Sequence, residues 1–174
     1  DFALGGVVET YTAADATGSA GSLAATTFGD VRGWVTGGFH RPASGMLISL
    51  AGQSEEGWRQ NADYLLGNGV LRGWRSVGAG RLEGGLYLYG SDWNSPGFVS
   101  VDRYNQGDLE AATDTTDGGD GQRYIGTLRY GLPLGPKTTL DAQLWGQLAQ
   151  STVFLTLPED DVLRQTAERD DREA

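Results

Sequence analysis

The sequence contains no cysteine, so neither a disulfide framework nor a thiolate metal centre is open to it. Its single histidine, His40, rules out a histidine-based metal cluster within the chain and reads as a rim or turn residue. No run of about 18 apolar residues occurs, so no transmembrane helix is encoded. Basic residues are also too few to make a nucleic-acid surface. The formal net charge is −10, and phosphate binding needs the opposite balance. Gly-x-Ser-x-Gly, phosphate-loop and dinucleotide fingerprints are missing as well. The chain opens at Asp1 without an initiator methionine or signal peptide, which reads as a mature form or a fragment.

What is plentiful is glycine, 28 of 174 residues. Each costs a helix about 1 kcal/mol relative to alanine, so the composition favours strands, turns and loops. Acid gathers from Asp108 to Asp120 and from Glu159 onward, as solvated loops do.

Alternation with period two organises the chain, the mark of strands with two unlike faces. Leu140, Ala142, Leu144, Gly146 and Leu148 oppose Asp141, Gln143, Trp145 and Gln147. Val31, Val35 and Phe39 oppose Arg32, Thr36 and His40, and Leu82, Leu86 and Leu88 oppose Glu83, Tyr87 and Tyr89. Met46, Ile48 and Leu50 oppose Ser49 and Gln53, while Tyr124, Leu128 and Tyr130 oppose Thr127 and Arg129. An extended piece at about 4–12 and strands near 20–29, 31–41, 45–55, 69–78, 81–92, 122–133 and 138–157 are expected, with an eighth beginning near 166. Short Gly- and Pro-rich breaks at 40–45, 78–80 and 133–137 alternate with longer polar segments at 54–63, 92–122 and 158–167. That is the asymmetry of outer-membrane barrels, which carry short turns at one end and long loops at the other.

The expected fold is therefore all-β: an antiparallel up-and-down meander, an open curved sheet of about seven to eight strands, forming part of a transmembrane β-barrel. Arg72 and Arg75 fall on opposite faces of their strand, so the membrane assignment requires Arg72 to face the lumen. Arg75 lies near the 78–80 turn, where a long side chain reaches the interface.

Ala3-Leu4-Gly5-Gly6-Val7-Val8-Glu9-Thr10 resembles the end of the plug domain of TonB-dependent outer-membrane receptors. Thr27-Phe28-Gly29-Asp30-Val31-Arg32 is similar to their first barrel hairpin, and Glu56-Gly57-Trp58-Arg59-Gln60-Asn61-Ala62-Asp63-Tyr64 to their first long surface loop. Ser91-Asp92-Trp93-Asn94-Ser95-Pro96-Gly97-Phe98 with Thr116-Asp117-Gly118-Gly119-Asp120 resembles a later loop. The resemblance implies a plug tail and linker at 1–18 and the N-terminal part of the barrel at 19–174. It implies an importer of a siderophore-like metal chelate or another large nutrient in the Gram-negative outer membrane, working with the parent chain's plug and remaining strands and, through the plug, with TonB. Lipid would surround it. No catalytic residue, cofactor or nucleic acid is implied. The TonB-binding segment, most of the plug and a terminal aromatic residue depart from the family pattern.

Trp58, Arg59, Asn61, Trp93, Asn94, Phe98 and Tyr104 fall in the expected long loops and are candidates for ligand contact. Aromatic-girdle or loop-packing roles are their plainer reading. Arg32, Arg72, Glu83, Arg129, Asp141, Gln143 and Gln147 would line the lumen, or the solvent face of a one-sided soluble sheet. Asp114, Asp117 and Asp120 could offer oxygen ligands to calcium, set against a simple solvated acidic loop. Carboxylates at Glu55 and Glu56, or at Glu159 to Asp161, are adjacent and point to opposite strand faces, which argues against a glycosidase pair. Two other architectures fit the alternation: a complete small eight-stranded barrel, and a soluble carbohydrate-binding β-sandwich.

Overall fold

The computed structural model of the protein describes residues 17–27, 29–112, 115–159 and 162–173. The plug-like opening, Phe28 and the calcium candidate Asp114 lie outside these residues. The described chain is all-β. Its strands are β1 (Gly18–Ala25), β2 (Val31–Arg41), β3 (Ser44–Glu55), β4 (Tyr64–Val77), β5 (Gly80–Asn94), β6 (Gly118–Gly135), β7 (Thr138–Glu159) and β8 (Val162–Glu173). They form one sheet in chain order, each strand antiparallel to the next. β1 and β8 are edges that do not pair with each other, so the meander is open and a closed eight-stranded barrel is not formed. No second sheet lies against it among the described residues, so the sandwich lacks its partner layer.

Two-residue turns join β2 to β3 at Pro42-Ala43, β4 to β5 at Gly78-Ala79 and β6 to β7 at Pro136-Lys137. Gly78 supplies the positive φ, +60°, that closes its hairpin without a Cβ clash. At the opposite end of the sheet the connections run over 26–30, 56–63 and 95–117. The last of these holds a short helix, α1 (Val101–Gln106), which no periodicity in the sequence announces. Ser100 caps it by accepting from the Arg103 backbone N–H, and Gly107 ends it at φ +76°.

Two boundaries differ from the sequence expectation. β4 begins at Tyr64, not near 69, because Gly67 and Gly69 sit within the ladders to β3 and β5 rather than breaking them. The polar segment 158–167 is not a long loop: β7 runs to Glu159 and β8 starts at Val162. From Gln165 onward β8 is exposed on both faces, so no apolar alternation is needed there.

Register sorts the side chains into two faces. On one face stands a row of Phe39, Met46, Gly73, Gly84, Leu128 and Leu144. The next rows are Gly37-Ile48-Leu71-Leu86-Gly126-Gly146 and Val35-Leu50-Gly69-Leu88-Tyr124-Leu148, followed by Leu23-Gly33-Gly52-Gly67-Gly90-Gln122-Gln150. From β1 to β7 these rows hold no charge. Charge returns on this face at both limits, with Arg41 and Arg75 one row toward the turns and Asp92 and Asp120 one row toward the loops. β8 brings Asp171 and Glu173 against the loop-side rows only.

The protein has almost no core. Leu47, Ala111 and Ala112 are the buried apolar residues, and no large side chain is fully buried among the described residues. Leu50, Leu86, Leu88, Leu144 and Leu148 are about half exposed or more. Burying one such side chain is worth about 1.5–3 kcal/mol, and none of the described residues covers them.

Candidate functional site

The opposite face carries the polar residues. Arg32, Arg72, Glu83, Arg129, Asp141, Gln143 and Gln147 all stand on it, since Arg72 shares a row with Leu47, Thr127 and Trp145, and Glu83 a row with Trp74, Arg129 and Gln143. Arg75 projects from the apolar face, at its turn-side limit. Arg129 donates to Asp141 Oδ1 through Nε (3.0 Å) and Nη2 (2.8 Å), and Arg81 Nε lies 2.8 Å from Glu83. The Arg81 guanidinium also stacks 4.0 Å from the Trp74 ring, whose other neighbour is His40, with ring centroids 5.3 Å apart. Opposite Trp74 stands Gly45, and a Cβ there would collide with the indole. This stack escaped sequence reading because its members meet only through register.

At the loop end, segments 56–63 and 95–117 are knotted together by the side chains that sequence put forward for ligand contact. Arg59 donates to the carbonyls of Gly97 (2.9 Å), Ala111 (3.1 Å) and Pro96 (3.4 Å). Asn61, in the left-handed region at φ +58°, donates to Ser95 O (2.9 Å) and Asp117 O (3.2 Å). Asn94 holds both oxygens of Asp63, at 3.1 and 2.9 Å. Backbone bonds from Gln60 to Glu110 and from Ser95 to Asp117 complete the knot. Gly57, at φ +71°, lies so close to Ala62 that a Cβ would clash. These three polar candidates therefore position the loops.

The aromatic candidates divide. Trp93 is half-buried on the polar face and packs over Gly119, where a Cβ would strike its ring. Trp58, Phe98 and Tyr104 stand out into the surroundings, 72%, 90% and 67% exposed. Arg59 approaches the Trp58 ring at 5.9 Å, so the knot also orients one exposed aromatic. Tyr64 lies beyond the Asp92 and Asp120 row. Burial pushes its hydroxyl above the usual phenol range, and a hydrogen bond to Glu55 and the charges of Glu55 and Asp30 push the same way.

Among the described residues no three His, Cys, Asp or Glu side chains gather as metal ligands. Asp120 is placed beside Asp92 by register, and Asp117 is buried at the entry to β6 with Oδ1 unbonded. The calcium expectation, with Asp114 outside the described residues, gains no geometry from the structure. Comparison with protein families, with curated proteins and with solved structures finds no match.

Proposed function

We propose that this chain is part of the wall of a TonB-dependent outer-membrane receptor that imports a metal chelate or another large nutrient. One observation carries the reading: an uncovered apolar face bounded at both ends by charge at the spacing of a bilayer. On β4 the limits are Arg75 and Leu65, the latter beside Asp92, ten residues apart. At about 3.3 Å per residue that is about 33 Å along the strand. A tilt of about 40° projects it to about 25 Å, the height of the apolar band on such barrels. A soluble domain of this size would instead bury a core.

The remaining features fit the same function. Short turns would face the periplasm and the knotted loops the exterior. Trp58, Phe98 and Tyr104 supply exposed aromatic surface for ligand capture. The polar face, with its paired charges, would line the lumen and meet the plug. Unpaired edges at β1 and β8 are costly in lipid, and further strands of a parent barrel would satisfy them. The family assignment rests on the ordered sequence resemblance. It is tested by sequencing the parent DNA on both sides of the segment. Expected is an open reading frame that runs upstream into a plug and downstream into many more alternating strands ending in an aromatic residue. Start and stop codons closely bracketing these residues would overturn it.

A further inference from the structure

Both faces of the sheet carry arginine near the turn end, but the two faces treat it differently. On the polar face Arg81 and Arg129 have carboxylate partners, Glu83 and Asp141. On the apolar face Arg41 and Arg75 flank Ser44 in a single cross-strand row, and neither has a carboxylate partner among the described residues. That row continues through Leu82, Tyr130 and Ala142, so it contains no acid at all. Arg41 lies back against the apolar surface, its guanidinium 5.4 Å from the Phe39 ring centre.

Directly above this row the apolar face is furrowed. The furrow has a volume of about 560 Å³ and is walled by Leu71, Leu86, Leu128 and Leu144 over a floor that includes Gly73 and Gly84. Gly73 and Gly84 are cross-strand partners without positive φ, and a Cβ on either would make only ordinary contacts. Neither the backbone nor the chain's own packing requires glycine there. What the two glycines create is depth, next to Arg75, which lies two residues along β4 on the same face.

We infer that this furrow and its arginine rim form a binding site for an anionic phospholipid, with an acyl chain along the glycine floor and the headgroup phosphate at Arg75, Ser44 and Arg41. Charge complementarity fixes the occupant. Unpaired cations at the edge of an apolar band match an amphiphile with a negative head, and a cation near an anionic membrane surface strengthens association on the order of fivefold. The inference rests on the membrane reading above and adds lipid selectivity on the turn side.

The test is flotation of the full chain with vesicles of phosphatidylcholine alone and of phosphatidylcholine containing phosphatidylglycerol. Wild type should enter both and prefer the anionic vesicles on the order of fivefold per arginine. The Arg41→Gln/Arg75→Gln chain should still enter neutral vesicles but lose the preference. Arg103→Gln, which removes one positive charge at the loop end, should keep it. Gly84→Leu, which fills the furrow and retains both arginines, should weaken retention of phosphatidylglycerol after detergent extraction. Equal partition of wild type into both vesicles, or an undiminished preference in the double Gln variant, would overturn the lipid site and leave the membrane reading intact. Loss of the preference in inorganic phosphate, but not in chloride of equal ionic strength, would mean a free-phosphate site and would also overturn it. Failure to enter neutral vesicles would strike the membrane reading itself.

Discussion

Arg59 and Phe98 lie within one hydrogen bond of each other's segments yet have opposite roles. Arg59 satisfies three carbonyls of the 95–117 loop. Hydrogen bonds to charged groups are worth about 1.5–3 kcal/mol each when well formed, so removing this side chain leaves the loop without its main tether. Arg59→Ala is expected to lower local stability by roughly 2–3 kcal/mol, read as faster amide exchange over 95–112 with the strand ladders unchanged. Phe98 is 90% exposed among the described residues. Phe98→Ala should leave amide exchange unaltered and, if the proposed receptor role holds, weaken ligand capture by the complete protein. Loss of loop protection in Phe98→Ala would show that its ring packs in the fold instead.

Within single elements, the two-faced strand is the unit that the sequence showed most clearly. Period-two alternation in 140–148 and 82–89 separates the same side chains that register separates, because an inserted residue would have flipped every later one. Positions 67–69 were harder to read. Gly67 and Gly69 look like a break, yet each lies in a cross-strand row where neighbouring strands supply the ladder. The loop knot was not legible at all. Arg59 and Asn61 were visible as polar loop residues, but their partners lie 34 to 56 positions away and are backbone carbonyls, which carry no sequence signature. At this scale, Ile48 and Ser49 on β3 make a paired test, since they are adjacent and face opposite ways. In chain folded into vesicles, Ile48→Arg should cost about 2–4 kcal/mol, as arginine does on the lipid face near the midplane. Ser49→Arg should cost less than about 1 kcal/mol. Urea unfolding of both variants gives the comparison, and equal effects would contradict the assignment of faces.

At the largest scale, the governing fact is a sheet whose apolar face is uncovered and whose two edges are unpaired among the described residues. Such an object is stable only where something other than water meets that face. In the proposed reading a bilayer would do so across the full distance between the Arg75 and Asp92 rows, with the polar face turned toward a lumen. β8 pairs only with residues 148–159 of β7, so it leaves the turn-side rows free of charge, while its Asp171 and Glu173 extend the two loop-side rows of the apolar face. The absence of cysteine makes the decisive measurement simple, because a single introduced thiol carries the only label. Spin labels placed one at a time through Met46→Cys to Ala51→Cys, in chain reconstituted in lipid, would report collision with lipid-soluble oxygen and with a water-soluble nickel chelate. The expected result is alternation: positions 46, 48 and 50 reached by oxygen and shielded from nickel, positions 49 and 51 the reverse, with buried Leu47 shielded from nickel by its neighbours. Uniform access to nickel along all six positions would contradict a membrane-spanning sheet.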